Sequence, residues 1–384
     1  MEDTAYIRPR MVCVGLVLLL STAQTAIAAD ADELASRLFQ RLTGNPLLLD
    51  DPRREEMERL IDERRFEEAA RIATEDDGFY NVTLREWAAP LSNRDGDRFF
   101  KINDFTAMVI GSVRDGRDFR EILTGDYSYV GDSSKLPTIP AGNPATDAHY
   151  DFLENNRVDL RNNLVRVEPQ RPGYNDAAGV LTSLAWSQAH LAAGTNRRIV
   201  QYTFQDFLCR PLPTVADTSL MDFYVRRDVD RSPGGSSKTY EGTCRGCHAA
   251  LDGLSSAFAY VTHNNNFVFS TTVQGKMNQN NAVYREGKTV ADAAWVNLWV
   301  KNLELGFRGE QSGSGIRPFG WLIANSVAFS QCMTSKVFEQ VCRRSATESE
   351  NSLIADLANR FEASGYNLRQ LFELIAVMPN CLGR

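Results

Sequence analysis

From residue 30 onward, apolar positions recur mostly at helical spacing, and runs rich in Phe, Val and Thr are rare. Asp51 followed by Pro52 supplies a cap and a first-turn proline. Met57, Leu60 and Ile61 then mark the buried face of the helix they open. Asn103 predicts a second cap, ahead of Phe105, Met108 and Val109. A polar, Pro- and Gly-bearing stretch over 133–143 breaks the pattern, and residues 170–173 give the best domain boundary. Beyond it, helices are expected over 197–208, 247–260 and 290–305, with one short strand within 267–273. Loops at 231–237 and 311–315 read as mobile. Asn367 predicts the cap of a last helix that buries Leu368, Leu371, Phe372 and Ile375. The chain shows no internal repeat and no heptad seam. The expectation is a mainly α protein, with a helical N-terminal domain over 29–169 and a second helical domain over 170–384 that carries the short strand.

Residues 1–28 stand apart. Arg8 and Arg10 precede an apolar run over 11–20, and Ala26-Ile27-Ala28 offers a small-x-small cleavage site. This is the pattern of a secretory signal peptide, with the mature chain starting at Ala29. The apolar run is too short to span a bilayer, so no transmembrane anchor is expected after cleavage. The predicted location is the periplasm.

Charge excludes some functions. With 42 basic and 49 acidic residues the formal charge is −7, and the two signs are mixed along the chain. No basic face for nucleic acid is visible. The length and the 43% hydrophobic content allow a sizeable core.

Cysteine usage narrows the chemistry further. Six cysteines follow the signal segment: Cys209, Cys244, Cys247, Cys332, Cys342 and Cys381. Cys244-Arg245-Gly246-Cys247-His248 is the Cys-x-x-Cys-His signature of c-type haem attachment. Two thiols three positions apart at a helix start reach the two vinyl-derived carbons on one porphyrin edge. The next residue then sends its imidazole under the ring, so Cys244 and Cys247 are the expected covalent anchors and His248 the proximal iron ligand. One haem c is expected. Zinc would need two more Cys or His ligands at suitable spacing, and a redox dithiol a βαβ setting; neither is visible. The other four cysteines allow up to two disulfides in three possible pairings.

The sixth iron position separates electron transfer from catalysis. Met277, in a polar stretch 29 residues after His248, and His263, 15 residues after it, are the candidate distal ligands. Met333, Met378 and His190 rank below them. Trp295, Trp299, Phe319 and Trp321 are candidate ring-packing residues, and Tyr284, Arg285 and Lys288 are candidate propionate contacts. No phosphate loop, dinucleotide fingerprint or nucleophile elbow occurs.

Around the haem signature the chain resembles a known family. Gly179-Val180-Leu181-Thr182, the stretch 197–209, Pro211 and Pro213 lead into it, and Leu251-Asp252 follow it. Together with 329–338, 364–371, Thr43-Gly44-Asn45-Pro46-Leu47 and Asn103-Asp104-Phe105, these residues resemble the planctomycete-type cytochrome c-like proteins, extracytoplasmic haem proteins of uncharacterised role. The resemblance covers the second half well and the first half loosely. It implies a cytochrome c-like helical haem domain over 170–384 and a redox role. Gly253 departs from the proline usual after the aspartate. The expected function is electron transfer with a redox partner protein. The alternatives are a haem enzyme, peroxidase- or oxygenase-like, with an open distal site, or a haem-stabilised subunit of a larger complex.

Overall fold

Caps read from the sequence start several of the helices. In the computed structural model, which describes residues 30–142, 146–280 and 283–383, the protein is mainly α. The signal segment expected over 1–28 lies outside the described residues. Helices α1 (Ala31–Thr43), α2 (Arg53–Asp62) and α3 (Phe66–Thr74) pack together at the N-terminal end. Asp51 accepts the backbone N–H of Arg53 at 2.9 Å, and α2 buries Met57, Leu60 and Ile61. Helix α4 (Asp104–Arg114) opens with a reciprocal capping box: Asn103 accepts from the Thr106 N–H at 3.0 Å, and Thr106 Oγ1 accepts from the Asn103 N–H at 2.9 Å. The chain continues through α5 (Leu184–His190), α6 (Arg197–Phe207), α7 (Arg245–Ser255), α8 (Ile316–Ala324), α9 (Val327–Cys342), α10 (Asn351–Ala363) and α11 (Leu368–Ala376). Asn367 caps α11 by accepting from the Gln370 N–H at 3.1 Å, and the four predicted apolar residues are buried beneath it.

Strands occur among the described residues only as short antiparallel pairs. β1 (Ser128–Gly131) pairs with β2 (Leu164–Val167), β3 (Val261–His263) with β4 (Phe267–Phe269), and β5 (Ala294–Val296) with β6 (Ser312–Ser314). The strand expected within 267–273 is thus its first three residues. Of the helix expected over 290–305 only a single 3₁₀ turn forms, Leu298–Lys301. Trp295 and Trp299, four positions apart and both buried, imitate a helical face. Two asparagines redirect the backbone instead: Asn297 accepts from the Trp299 N–H at 3.0 Å, and Asn302 from the Glu304 and Leu305 N–H groups. The Trp295 indole donates to the Gly315 carbonyl at 3.0 Å, holding the 311–315 segment as β6 rather than as the free loop expected there. The 231–237 segment carries one tight turn, Pro233–Gly235.

The hydrophobic core runs from Leu34 to Leu382 and is continuous across residue 170. α1 and α3 pack on α11, and α9 packs on α10 and α11, so the two ends of the chain share one core. α8 approaches the 119–123 turn so closely that a Cβ on Gly320 would collide with the Leu123 carbonyl oxygen. Two disulfides add covalent ties, Cys209–Cys332 and Cys342–Cys381, with Cα separations of 5.2 and 4.5 Å. They select one of the three pairings that sequence leaves open. No helix among the described residues is long and apolar enough to cross a membrane.

Candidate functional site

Cys244 ends a π turn, Tyr240–Cys244, that runs directly into α7 and so places Cys247 and His248 in its first turn. Such turns recur at functional sites because they re-aim side chains along a helix. The segment after Cys209 lies along the signature. Cys247 Sγ sits 3.8 Å from the Leu212 carbonyl, the Gly246 carbonyl accepts from the Asp217 N–H at 2.9 Å, and Arg245 donates to the Leu220 carbonyl at 2.8 Å. A Cβ on Gly246 would meet Ala216 and Thr218 at 3.3 and 3.2 Å, so a larger residue there would crowd this strap. The Cys209–Cys332 disulfide anchors the strap's start to α9.

Cys244 and Cys247 are both free and half-buried, whereas the other four cysteines of the described residues are paired. Burial pushes the Cys247 thiol up, and the neighbouring Cys244 adds to the shift. A reactive redox dithiol shows the opposite tendency, a depressed pKa.

His248 is 28% exposed, and its Nδ1 lies 3.2 Å from Asp252 Oδ1, one helical turn on. Nδ1 donates in this pair, which leaves Nε2 as the nitrogen available to a metal. Asp252 is buried and belongs to a wider ionic network. Arg197 reaches both of its oxygens, with Nε on Oδ1 and the second contact, to Oδ2, at 2.8 Å. The same guanidinium forks onto Asp228 at 2.7 Å for each oxygen. The Arg226 N–H donates to Asp252 Oδ2 at 2.8 Å. Burial alone would raise the Asp252 pKa, but the hydrogen bonds from Arg197 and His248 outweigh it and hold the group well below the usual carboxylate range.

The Arg226 side chain is 1% exposed, and burial pushes its pKa down to about 10. It donates to the Met277 carbonyl at 3.2 Å, the Thr195 carbonyl at 2.8 Å and Ser255 Oγ at 3.1 Å, and Met277 Sδ lies 3.8 Å from it. Its Nε is also 4.0 Å from Asp252 Oδ2. The contacts from His248 thus run through Asp252 and Arg226 to Met277. His263, on β3, is held by Ser187 Oγ at 3.1 Å, and burial, with Lys276 nearby, lowers its pKa. Among the described residues neither candidate distal ligand hydrogen-bonds to the Cys-x-x-Cys-His turn; Met277 meets Arg226 and His263 meets Ser187.

The remaining sequence candidates divide. His190 and Met333 are core residues. Trp299 packs on Phe204 at 5.0 Å, Trp295 on Phe319 at 6.4 Å, and Trp321 stays 43% exposed on the surface of α8. Lys288 does come near the signature. It lines an open groove of about 920 Å³ that also takes in Arg245, Tyr240, Arg231, Met221 and Phe223. Met221 and Phe223 are 72% and 66% exposed, an apolar ledge beside cations and the carboxylates Asp222, Glu241 and Glu286. Sequence reading did not single out Met221, Phe223, Arg226 or Asp228. Arg197 and Asp252 fell within the stretches that carry the resemblance, but nothing in their spacing indicates that they pair.

The donor set fits a covalently held haem. Two free thiols sit within one helical turn, and the adjoining histidine has one ring nitrogen committed to a carboxylate. Arg245 of the signature also lines the adjoining groove, where Lys288 and Arg227 are the further cations a carboxylate group could meet. Among the described residues no group of three or more His, Cys, Asp or Glu side chains is gathered to hold a metal ion by itself. Comparison with protein-family models, with curated proteins and with solved structures finds no match.

Proposed function

We propose that this chain is a monohaem c-type cytochrome of the periplasm that transfers electrons to or from a partner protein. One observation carries the reading: among the described residues Cys244 and Cys247 are the free cysteines while the other four are disulfide-bonded, and they stand one turn apart and directly ahead of His248. Cys244 and Cys247 would anchor the porphyrin, and His248 Nε2 would bind its iron. When bound, the haem supplies a one-electron ferric/ferrous couple. The strap over 209–220 shields the thiol side, and the cations of the groove would face the propionates. The two disulfides support an oxidising compartment, in keeping with the signal segment.

A second reading, a haem enzyme with an open distal position, is favoured by the placement of Met277 behind Arg226 and of His263 against Ser187. Absorption spectra of the oxidised and reduced protein, with and without carbon monoxide, separate the two. A low-spin spectrum unmoved by the gas supports the electron carrier. Ready gas binding supports the open site. An unchanged spectrum in both Met277→Ala and His263→Ala excludes those side chains as iron ligands.

A further inference from the structure

We propose that Asp252, held in place by Arg197, is a positioning residue that lowers the reduction potential of the iron by accepting the Nδ1 proton of His248 in a buried hydrogen bond. This rests on the haem reading above. An imidazole that donates Nδ1–H to a carboxylate is a stronger electron donor at Nε2, which favours the ferric over the ferrous state. The geometry is specific. Asp252 has no exposed side-chain surface, so its bond to Nδ1 does not compete with bulk water. Arg197 grips both carboxylate oxygens and is itself gripped by Asp228, which fixes the plane of the carboxylate and aims Oδ1 at the imidazole. The Arg226 N–H completes the shell on Oδ2.

The charges of the network nearly cancel. Arg197 and Arg226 contribute two positive charges, and Asp228 and Asp252 two negative ones. The influence on His248 is therefore a directional hydrogen bond more than a net field. This separates Asp252 from Asp228. Both carry one negative charge and both bind Arg197, but only Asp252 touches the imidazole. Loss of a partner that hydrogen-bonds a metal-ligating histidine typically costs 10- to 100-fold in metal affinity or activity. A tenfold change in the ferric/ferrous ratio corresponds to about 59 mV for a one-electron couple.

The test uses the full chain, expressed with its signal segment in a host that attaches c-type haem. Potentiometric titration should show Asp252→Asn shifted at least tenfold toward the ferrous form, while Asp228→Asn shifts less than threefold. In ¹⁵N-edited NMR the His248 Nδ1–H signal should move upfield in Asp252→Asn and stay in place in Asp228→Asn. Equal potential shifts in the two variants, with the Nδ1–H signal fixed in both, would overturn the proposal while leaving the haem reading intact. Asp252→Asn leaves Arg197 short of a partner and can fail to fold, so the unmodified protein supplies a second readout. Its Nδ1–H proton should lie downfield and exchange slowly with solvent, and rapid exchange at an ordinary shift would overturn the proposal by itself. A preparation without covalent haem overturns both readings.

Discussion

His190 offers a perturbation whose size follows from its surroundings. The residue is 1% exposed, stacked on Tyr202 at 4.2 Å with Trp186 edge-on at 4.3 Å, and neither ring nitrogen has a hydrogen-bond partner. Burial, reinforced by Arg198 and Arg94, pushes its pKa down to about 3 from the usual 6.5. The folded protein therefore holds this imidazole neutral across the whole weakly acidic range. As pH falls below 6.5 the unfolded chain takes up a proton that the folded chain refuses, so stability declines by about 1.4 kcal/mol per pH unit. Integrated from pH 7 to pH 5, the loss due to this one group is about 2 kcal/mol. His190→Phe keeps an aromatic ring between Tyr202 and Trp186 and removes the titration. Guanidinium unfolding at pH 7 and pH 5, for both proteins, isolates the effect because every other group contributes equally to each. The variant should lose about 2 kcal/mol less than the parent between the two pH values. At pH 7 it should be no less stable, since two unpaired buried polar atoms have been removed. Equal acid sensitivity in the two proteins would refute the burial of a neutral His190.

Other perturbations have equally direct outcomes. Asn103→Ala removes the capping box of α4 and a buried 2.9 Å bond to Ser92, and should cost about 1–2 kcal/mol in denaturant unfolding. Replacing Cys209 and Cys332 together by Ala opens a longer loop than replacing Cys342 and Cys381, with sequence separations of 123 against 39. Chain-entropy losses of about 5 and about 4 kcal/mol follow, so thermal unfolding should rank the first pair as the more damaging. Arg226→Met leaves the Met277 and Thr195 carbonyls without their buried guanidinium donor and removes the cation 4.0 Å from Asp252, and should destabilise by about 3 kcal/mol or more. Gly320→Ala should lower the melting temperature measurably, because the new Cβ meets the backbone oxygen of Leu123.

Local signals in the sequence were legible where a side chain acts on its own neighbours. Asn103, Asp51 and Asn367 cap the helices predicted from them, because a capping bond spans two or three residues and needs nothing distant. The 290–305 region departs from its pattern for a related reason: two tryptophans four apart look helical, yet Asn297, Asn302 and an indole bond to Gly315, 20 residues along, fix another path. At the candidate site the Cys-x-x-Cys-His turn is legible residue by residue. The carboxylate behind His248 is one turn away and foreseeable in principle. The Arg197–Asp228 fork and the buried Arg226 are not, since they join residues 31 and up to 51 positions apart through tertiary packing alone. The disulfide pairing was open for the same reason.

Intact mass of the full chain purified from a haem-attaching host, together with the alkaline pyridine spectrum of the denatured protein, tests the central claim most directly. The account predicts a mass increase of one haem that survives denaturation, and a spectrum typical of two thioether bonds. Cys244→Ala/Cys247→Ala should lose both signals. An unmodified mass for the parent protein, or haem that extracts into organic solvent, would contradict covalent attachment at Cys244 and Cys247 and with it the proposed function.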